Sequence, residues 1–341
     1  MTHPTNPPSP RQQRRDPLLG GERRIEPPLA GDSLSGLEPL LGGSRRTGIS
    51  LAHIQALINA PDEAERLRLL EAVIRAGQAS LVAAELAQTI PERARQKVGN
   101  WRGTFTPTQR IAALDALSVI GGTECLPVVL GTLGDSEYRV REAAARALRG
   151  ISARLDPADP RTRAAFSQMV EALRSLPVKG RKVVAHILAA APADLVLGPL
   201  LQVGLTAEEW WARRETAWVL GTLADRRATR RLIAALLADP SAAVRAAAAW
   251  ALGRLAVSLA LDPLGEATRD SDEVVRAAAV EALGAHAARL SPQDGNYRPT
   301  IQRLIEALTD HDWSVRHAAL DALLGLDGPE ARLATQGFRK R

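Results

Sequence analysis

Seven segments of the chain share one arrangement of apolar residues around an arginine. In most of them an apolar residue stands one position before the arginine and others stand three, six and seven positions after it. This spacing is the period of an amphipathic α-helix. Each segment therefore predicts a helix that begins near its arginine. The arginines are Arg110, Arg141, Arg181, Arg213, Arg245, Arg276 and Arg316, and each is followed by a leucine at the seventh position.

The arginines follow one another at steps of 31, 40, 32, 32, 31 and 40 residues. A fixed period of about 20–50 residues is typical of stacked repeats. Before the amphipathic helix lies a second apolar run, such as RLIAALLADP (231–240) or TIQRLIEALTD (300–310). Each unit is therefore predicted to contain two helices. The longer steps add RLDPADPRTR (154–163) and RLSPQDGNYRP (289–299), which are rich in turn-forming Pro and Asp.

We name each unit after its arginine and each position by its offset from that arginine. Position −6 is an aspartate in four units: Asp135, Asp239, Asp270 and Asp310. An aspartate in the short turn between two helices can cap free backbone N–H groups or pair with the arginine of a stacked neighbour. We therefore expect the arginines to form a structural Asp/Arg ladder rather than a ligand site.

The full pattern, D-x4-V-R-x-A-A-x-x-A-L-G, stands at residues 270–284. It resembles the short HEAT-like repeat of the phycobilisome lyase type, and the resemblance covers about residues 105–325. The resemblance implies an all-α fold, a right-handed α-α superhelix in which the second helices of the units line the concave surface.

Four regions are predicted along the chain. Residues 49–104 contain helical segments outside the register and are expected to be N-terminal capping helices. Residues 105–328 form the repeat solenoid, and residues 329–341 are a basic C-terminal tail. Residues 1–48 are rich in Pro, Gly, Arg and Ser and are too polar to bury a core, so a disordered extension is expected there.

One phrase occurs twice in this extension, as DPLLGGERR (16–24) and EPLLGGSRR (38–46). A turn former, an apolar pair and two cations suit a short docking motif, and two copies would raise avidity. The alternative is a duplication within a low-complexity tail. The motif residues are Pro17, Leu18, Leu19, Arg23 and Arg24, and Pro39, Leu40, Leu41, Arg45 and Arg46.

Composition narrows the class of protein. The 341 residues are 45% hydrophobic but only 3% aromatic, which suits stacked helices. No apolar run approaches the length of a membrane span, and no secretory signal is recognisable. The single cysteine, Cys125, excludes an internal disulfide framework and fits a reducing cytosol, so a cytoplasmic location and a buried thiol are expected.

The net charge of +6 is concentrated at the two ends of the chain. Residues 1–48 carry +2 and residues 331–341 carry +4, which leaves the solenoid neutral. A neutral body lacks the field that drives binding to a phosphate backbone, so nucleic acid is not expected as the main partner.

Positions −3, +1 and +5 are four residues apart and form one stripe along the second helices. Two adjacent units place tryptophan at +5, and burial of an indole is worth about 4–6 kcal/mol, so exposure of both requires a reason. The stripe predicts an aromatic, locally cationic groove centred on unit 213. The alternative is that these indoles cover helix ends or pack against the preceding unit. The predicted groove residues are Trp210, Arg214, Trp218, Trp250, Lys182, His186, Arg146, Trp313 and Asp321.

An aromatic and cationic groove suits a flat, conjugated, acidic ligand. Phycobilisome lyases bind bilins and deliver them to cysteines of phycobiliproteins, so the resemblance implies a bilin lyase or bilin chaperone. A bilin would then be the bound substrate, and a phycobiliprotein or other acceptor would be the partner. A second HEAT-repeat subunit is a further candidate partner, because such relatives often work as pairs. The alternative is a non-enzymatic scaffold that binds another protein, as an assembly or degradation factor.

Other chemistry is not expected from this sequence. The acceptor protein would bring the thiol, so the chain needs no nucleophile, and no catalytic residue is assigned. None of the six histidines precedes a glutamate, which excludes the repeated His-Glu pairs of iron-dependent HEAT-like hydroxylases. No Cys/His cluster with metal spacing and no phosphate-binding loop is present. No metal site and no required cofactor are predicted.

Overall fold

The computed structural model describes residues 51–90, 105–326 and 328–338. Helices and turns make up these ranges, and no β-strand occurs within them. The predicted extension (1–48), with both copies of its motif, lies outside the described residues. So does the end of the predicted capping region, residues 91–104.

The helices alternate between a first (A) and a second (B) helix of each unit. The B helices are α4 (Pro107–Ile120), α6 (Tyr138–Ala153), α8 (Val178–Ala190), α10 (Trp210–Leu223), α12 (Ala242–Leu255), α14 (Glu273–Ala287) and α16 (Trp313–Leu324). The A helices are α5 (Leu126–Thr132), α7 (Pro160–Ala172), α9 (Ala193–Pro199), α11 (Thr229–Ala238), α13 (Leu261–Ala267) and α15 (Tyr297–Ala307). The N-terminal helices are α1 (Leu51–Asn59), α2 (Glu63–Arg75) and α3 (Ala79–Gln88), and α17 (Pro329–Phe338) closes the other end.

The B helices bury the apolar face that the repeat pattern predicts. Val244, Ala248 and Leu252, at positions −1, +3 and +7 of unit 245, are fully buried. Most B helices pack against the A helix of their own unit, and every B helix packs against its neighbouring B helices. The fold is therefore an all-α solenoid of helical pairs.

The predicted Asp/Arg ladder is present in the structure. Four arginines bind the aspartate at position −6 of the next unit, in the pairs Arg110–Asp135, Arg213–Asp239, Arg245–Asp270 and Arg276–Asp310. In the last three pairs the guanidinium Nε and Nη2 donate to the two carboxylate oxygens over 2.7–3.0 Å. These two-point, charge-assisted hydrogen bonds connect consecutive units near the turns between their helices.

The same side chains also hold the turn within each unit. The ladder aspartate accepts a hydrogen bond from the backbone N–H two residues later, over 2.8–2.9 Å in all four units. The arginine Nη1 donates to backbone carbonyls at positions −6 and −5 of its own unit, as Arg245 does to Asp239 and Pro240. In these units one Asp and one Arg therefore bind the polar backbone groups of the turn, and they also connect the unit to the adjacent one.

Two of the ladder carboxylates, Asp270 and Asp310, are held in the charged form. Burial alone would raise the pKa of Asp270, but hydrogen bonds from Arg245 and from the Asp272 N–H, together with the charge of Arg245, outweigh it. The pKa of Asp270 therefore lies below its ordinary value, and the same balance lowers the pKa of Asp310 beside Arg276. These two pairs are ionised at neutral pH.

The ladder is interrupted in the middle of the stack, which corrects the expectation that all seven arginines behave alike. Position −6 is Ser175 in unit 181 and Ala207 in unit 213, so Arg141 and Arg181 do not meet an aspartate there. The Arg181 guanidinium instead lies over the Trp211 ring, 5.5 Å from its centroid. Its Nε is buried without a hydrogen-bond partner in the described part of the chain, and burial lowers its pKa.

Replacing Ala207 by aspartate is expected to stabilise the chain by about 1 kcal/mol, because the new carboxylate would accept from the orphaned Arg181 Nε. The turn at residues 205–210 has the same backbone pattern as the turn around Asp270, so an aspartate at position 207 would stand where the ladder carboxylates stand in other units. Urea unfolding measures the change. Ala207→Asn, which can hold the turn without a charge, should gain less. A lower midpoint for Ala207→Asp would contradict this account of the gap.

Consecutive B helices approach closely where glycine at +8 faces alanine at +6 of the next unit. A Cβ built on Gly253 would lie 2.8 Å from the Ala282 Cα, and one built on Gly221 would lie 2.7 Å from the Ala251 Cα. Gly284 faces Ala322 in the same way. The small residues therefore set the spacing of the B helices from unit 213 to unit 316. Between α6 and α8 the packing is less extensive, in the region where the ladder is interrupted.

Residues at both ends of the stack are helical. Helices α1 and α3 pack against α4, and Cys125 is fully buried beside them. Burial raises the pKa of the Cys125 thiol to about 11.

At the C-terminal end of the stack, where a basic tail is predicted from residue 329, the structure has the helix α17. Ala331 and Thr335 lie on one face of this helix and are buried. No helix in the described ranges has the length and apolar character that crossing a bilayer would require.

Candidate functional site

The structure brings together three predicted groove residues at position +5 of consecutive units. The His186 and Trp218 ring centroids are 5.0 Å apart, and the Trp218 and Trp250 centroids are 6.4 Å apart with nearly parallel planes at 10°. The three side chains stand on α8, α10 and α12. We call His186, Trp218 and Trp250 the aromatic row.

The aromatic row is partly supported by the preceding unit. A Cβ on Gly221 would come within 2.7 Å of a Trp250 ring carbon, so the glycine gives the indole room to lie across α10. Trp218 and Trp250 are both half-buried. Their packing thus combines the two alternatives in the sequence: each indole contacts a neighbouring unit and still presents part of its surface to solvent.

Cationic side chains flank the row. The Arg254 guanidinium lies 5.8 Å from the centroid of the Trp250 ring, and Arg214 lies at the same distance from Trp210. Arg214 is also paired with the buried carboxylate of Glu215, which neutralises part of its charge. Lys182 and Arg254 are exposed. Exposed cations beside indole faces attract acidic groups that also carry flat or apolar surface.

Trp210 and Trp211 extend this surface at the start of α10. Trp210 is 43% exposed, and its ring meets Trp211 edge to face at 5.9 Å. The Trp211 Nε1 donates to the Arg174 carbonyl over 3.1 Å, so this half-buried indole is held in place, in part by the Arg181 guanidinium that stacks on it. Trp210 is therefore the exposed member of a rigid aromatic pair.

Three predicted groove residues lie elsewhere. Arg146 pairs with Asp115 of the preceding unit over 2.8 Å, on the other side of the interrupted packing between α6 and α8. Trp313 and Asp321 lie on α16, beyond unit 276, whose +5 residue is Glu281. The predicted single groove is thus divided into the aromatic row with its cations and a second site in the last unit.

The second site is a cavity of about 370 Å³ between α14 and α16. Glu281, Trp313, His317 and Asp321 provide its polar and aromatic walls, and we call this group the terminal pocket. The Trp313 and His317 ring centroids are 5.0 Å apart, and the His317 Nδ1 lies 3.2 Å from an Asp321 carboxylate oxygen. Small residues, Gly284, Ala285, Ala318 and Ala322, line the rest.

Arg254 and His317 were not among the predicted groove residues, although the stripe contains the signal for both. Arg254 follows Trp250 by four residues and His317 follows Trp313 by four residues, which places each pair on one helix face. Within the described ranges, no group of three or more His, Cys, Asp or Glu side chains could hold a metal ion. The contacts that the aromatic row offers to a ligand are aromatic and charged.

Two protein-family models match parts of the repeat region. The family model for HEAT repeats matches residues 197–284, and a second HEAT repeat model matches residues 125–155 and 301–326. The chain contains HEAT repeats. No curated protein matches the chain.

The chain also matches solved structures, three of which follow. The structure in which Kap95p binding induces the switch loops of RanGDP to adopt the GTP-bound conformation matches with a TM-score of 0.52 at 15% identity, over 84% of this chain and 43% of that chain. This likeness shows the fold alone. An engineered protein matches at 20% identity and a TM-score of 0.37, over 84% of this chain and 81% of the other. Human deoxyhypusine hydroxylase in complex with glycerol matches at 23% identity and a TM-score of 0.34, over 69% of this chain and 94% of that chain.

Proposed function

We propose that this HEAT-repeat chain is a scaffold that holds a segment of another protein across the aromatic row. The observation that carries the proposal is the Trp218–Trp250 pair, half-buried and nearly parallel, on adjacent B helices beside exposed cations. Indoles on a rigid support are common anchors of protein interfaces, because they offer a large contact area at little cost in side-chain entropy.

The charges around the row define the chemistry of the segment. Lys182, four residues before His186, and Arg254, beside Trp250, are both exposed, while the buried carboxylate of Glu215 is already paired with Arg214. A partner segment with one or more carboxylates next to an aromatic, proline or aliphatic residue would satisfy both features. Stacked helical repeats offer extended surfaces of this kind, and a HEAT solenoid that binds a protein, Kap95p with RanGDP, shares the fold.

A bilin is the second candidate ligand of the same surface. Two nearly parallel indoles beside Lys182, Arg254 and His186 offer ring faces and cations to a flat, conjugated diacid. In that case the chain would act as a bilin chaperone or lyase, and the acceptor protein would supply the cysteine. The two candidates share the surface but differ in ligand, so one set of variants tests both.

Replacing Trp218 and Trp250 together by alanine is expected to weaken ligand binding by at least about tenfold, because the two indoles supply the largest apolar contact of the row. Peptides selected from a random library on the immobilised full chain, and free biliverdin, serve as probes. Calorimetry measures peptide binding, and the visible absorption band reports a bilin complex. We expect acidic-aromatic peptides to be enriched. A coloured complex abolished by the double variant would favour the bilin instead.

Trp313→Ala is the matched control, because it removes an exposed indole of the same solenoid outside the row. It should leave peptide and bilin binding unchanged. Thermal unfolding must accompany both variants, since each tryptophan of the row also packs on a neighbouring unit. If the double variant unfolds like the wild type and binds every selected peptide and biliverdin equally well, the row is not the binding surface.

A further inference from the structure

The terminal pocket has a charge opposite to that of the aromatic row. Glu281 and Asp321 are exposed on its walls, and Trp313 is 66% exposed, the most exposed of the described tryptophans. The face of an indole attracts a cation, and carboxylates accept its hydrogen bonds. The pocket volume, about 370 Å³, lies within the range of sites that hold small groups. A guanidinium fits this chemistry best, because it is both planar and charged.

His317 connects the two recognition elements of the pocket. Its ring packs 5.0 Å from Trp313, and its Nδ1 is 3.2 Å from Asp321. Trp313 and Asp321 therefore lie on the same face of α16, one helical turn before and one helical turn after the histidine. Glu281 stands on the facing helix α14. The small residues of the remaining walls leave the space between them open.

The chain itself contains a segment of the complementary chemistry. EPLLGGSRR (38–46) carries one acid and two adjacent arginines, a net charge of +1. The other copy, DPLLGGERR (16–24), has an additional acid and a net charge of 0. The copy that ends at Arg46 is thus the better match to an acidic aromatic pocket, and its two leucines add apolar contact.

Chain length decides which molecule can supply this segment. Arg46 precedes the first residue of α1, Leu51, by five residues, which span at most about 18 Å. The pocket lies six units further along the stack than α4, a distance of about 50–60 Å for helices packed 8–10 Å apart. Five residues span much less than this length of stack, which favours the segment of a second copy of the chain as the occupant of the pocket.

We propose that the terminal pocket binds the arginines of the EPLLGGSRR segment of a second copy of this chain. Arg45 or Arg46 stacks on Trp313 and pairs with Glu281 or Asp321. The contact joins the N-terminal end of one molecule to the last repeat of another, so it produces an arm-exchanged dimer or a head-to-tail chain.

Sedimentation velocity of the full chain over a range of concentrations tests the proposal. The wild type is expected to associate, and Arg45→Gln/Arg46→Gln and Glu281→Gln/Asp321→Asn are each expected to weaken association by at least about tenfold. An equimolar mixture of the two variants provides the decisive measurement, because one retains the pocket and the other retains the segment. The mixture should form dimers joined by one contact at concentrations at which each variant alone is monomeric. A wild type that stays monomeric, or a mixture that does, overturns the proposal.

Three further variants distinguish this proposal from a role of the other motif copy and from the scaffold proposal. Arg23→Gln/Arg24→Gln changes the other copy of the motif and should leave association nearly unchanged; loss of association there would show that the wrong segment was chosen. Trp218→Ala/Trp250→Ala should weaken ligand binding at the aromatic row but not association, while Trp313→Ala should do the reverse. Failure of the scaffold proposal and failure of this one therefore give different results.

Discussion

Replacing Asp310 by alanine is expected to destabilise the folded chain by about 3 kcal/mol, measured as the free energy of unfolding in urea. Asp310 accepts two hydrogen bonds from Arg276, over 2.9 and 3.0 Å, and Arg276 is only 4% exposed. Without the carboxylate, a buried guanidinium would lose its charged partner, and the N–H of Asp312 would lose its acceptor. Removal of one member of a buried pair costs more than the pair itself contributes, because the remaining charge stays out of water.

Asp262→Ala is the matched control for this prediction. Asp262 accepts a hydrogen bond from Arg303 over 2.8 Å, so the two contacts have similar lengths, but the Asp262 side chain is 87% exposed. Solvent screens this pair, and its loss should leave the unfolding midpoint unchanged. Asp310→Asn, which keeps an acceptor for the turn but not the charge, should fall between the two. Equal midpoints for Asp310→Ala and Asp262→Ala would show that burial of the ladder adds nothing to stability.

The fold could be predicted from sequence because one arginine per unit fixes the register. Position −6 then identifies the ladder aspartates, and Asp239, Asp270 and Asp310 all bind the arginine of the preceding unit as expected. The breaks in the ladder were also visible as Ser175 and Ala207 at that position. The sequence could not predict what replaces the missing carboxylate, because only the structure shows that the Trp211 ring occupies the space beside Arg181.

The candidate site could be predicted where the repeats are regular and not elsewhere. Units 181, 213 and 245 follow one another at steps of 32 residues, and their +5 side chains lie beside one another. Arg146 precedes a step of 40 residues, and it pairs with Asp115 rather than approaching His186. A register counted from sequence gives the position of a residue within its unit. It does not give the rotation of one unit relative to the next, which depends on packing between helices.

The small residues between the B helices recur at fixed positions of the repeat and set the helix spacing. The second large effect on stability is expected from a substitution there. Gly253→Ala should destabilise the chain by about 2 kcal/mol, although alanine is intrinsically the better helix former by about 1 kcal/mol. The new Cβ would lie 2.8 Å from the Ala282 Cα and 2.9 Å from its Cβ. The first of these atoms is backbone, so α14 would have to move as a whole. The clash should therefore outweigh the gain in helix propensity.

Gly131→Ala isolates the propensity term in the same protein. Gly131 lies in α5, is exposed, and would bring its Cβ within 4 Å of no other atom of the described chain. This variant should be stabilised by about 0.5–1 kcal/mol, whereas Gly253→Ala is destabilised. Thermal and urea unfolding of the two variants should thus change in opposite directions. Stabilisation by both would mean that α12 and α14 can separate freely, and the spacing of the B helices that supports the aromatic row would then not depend on glycine.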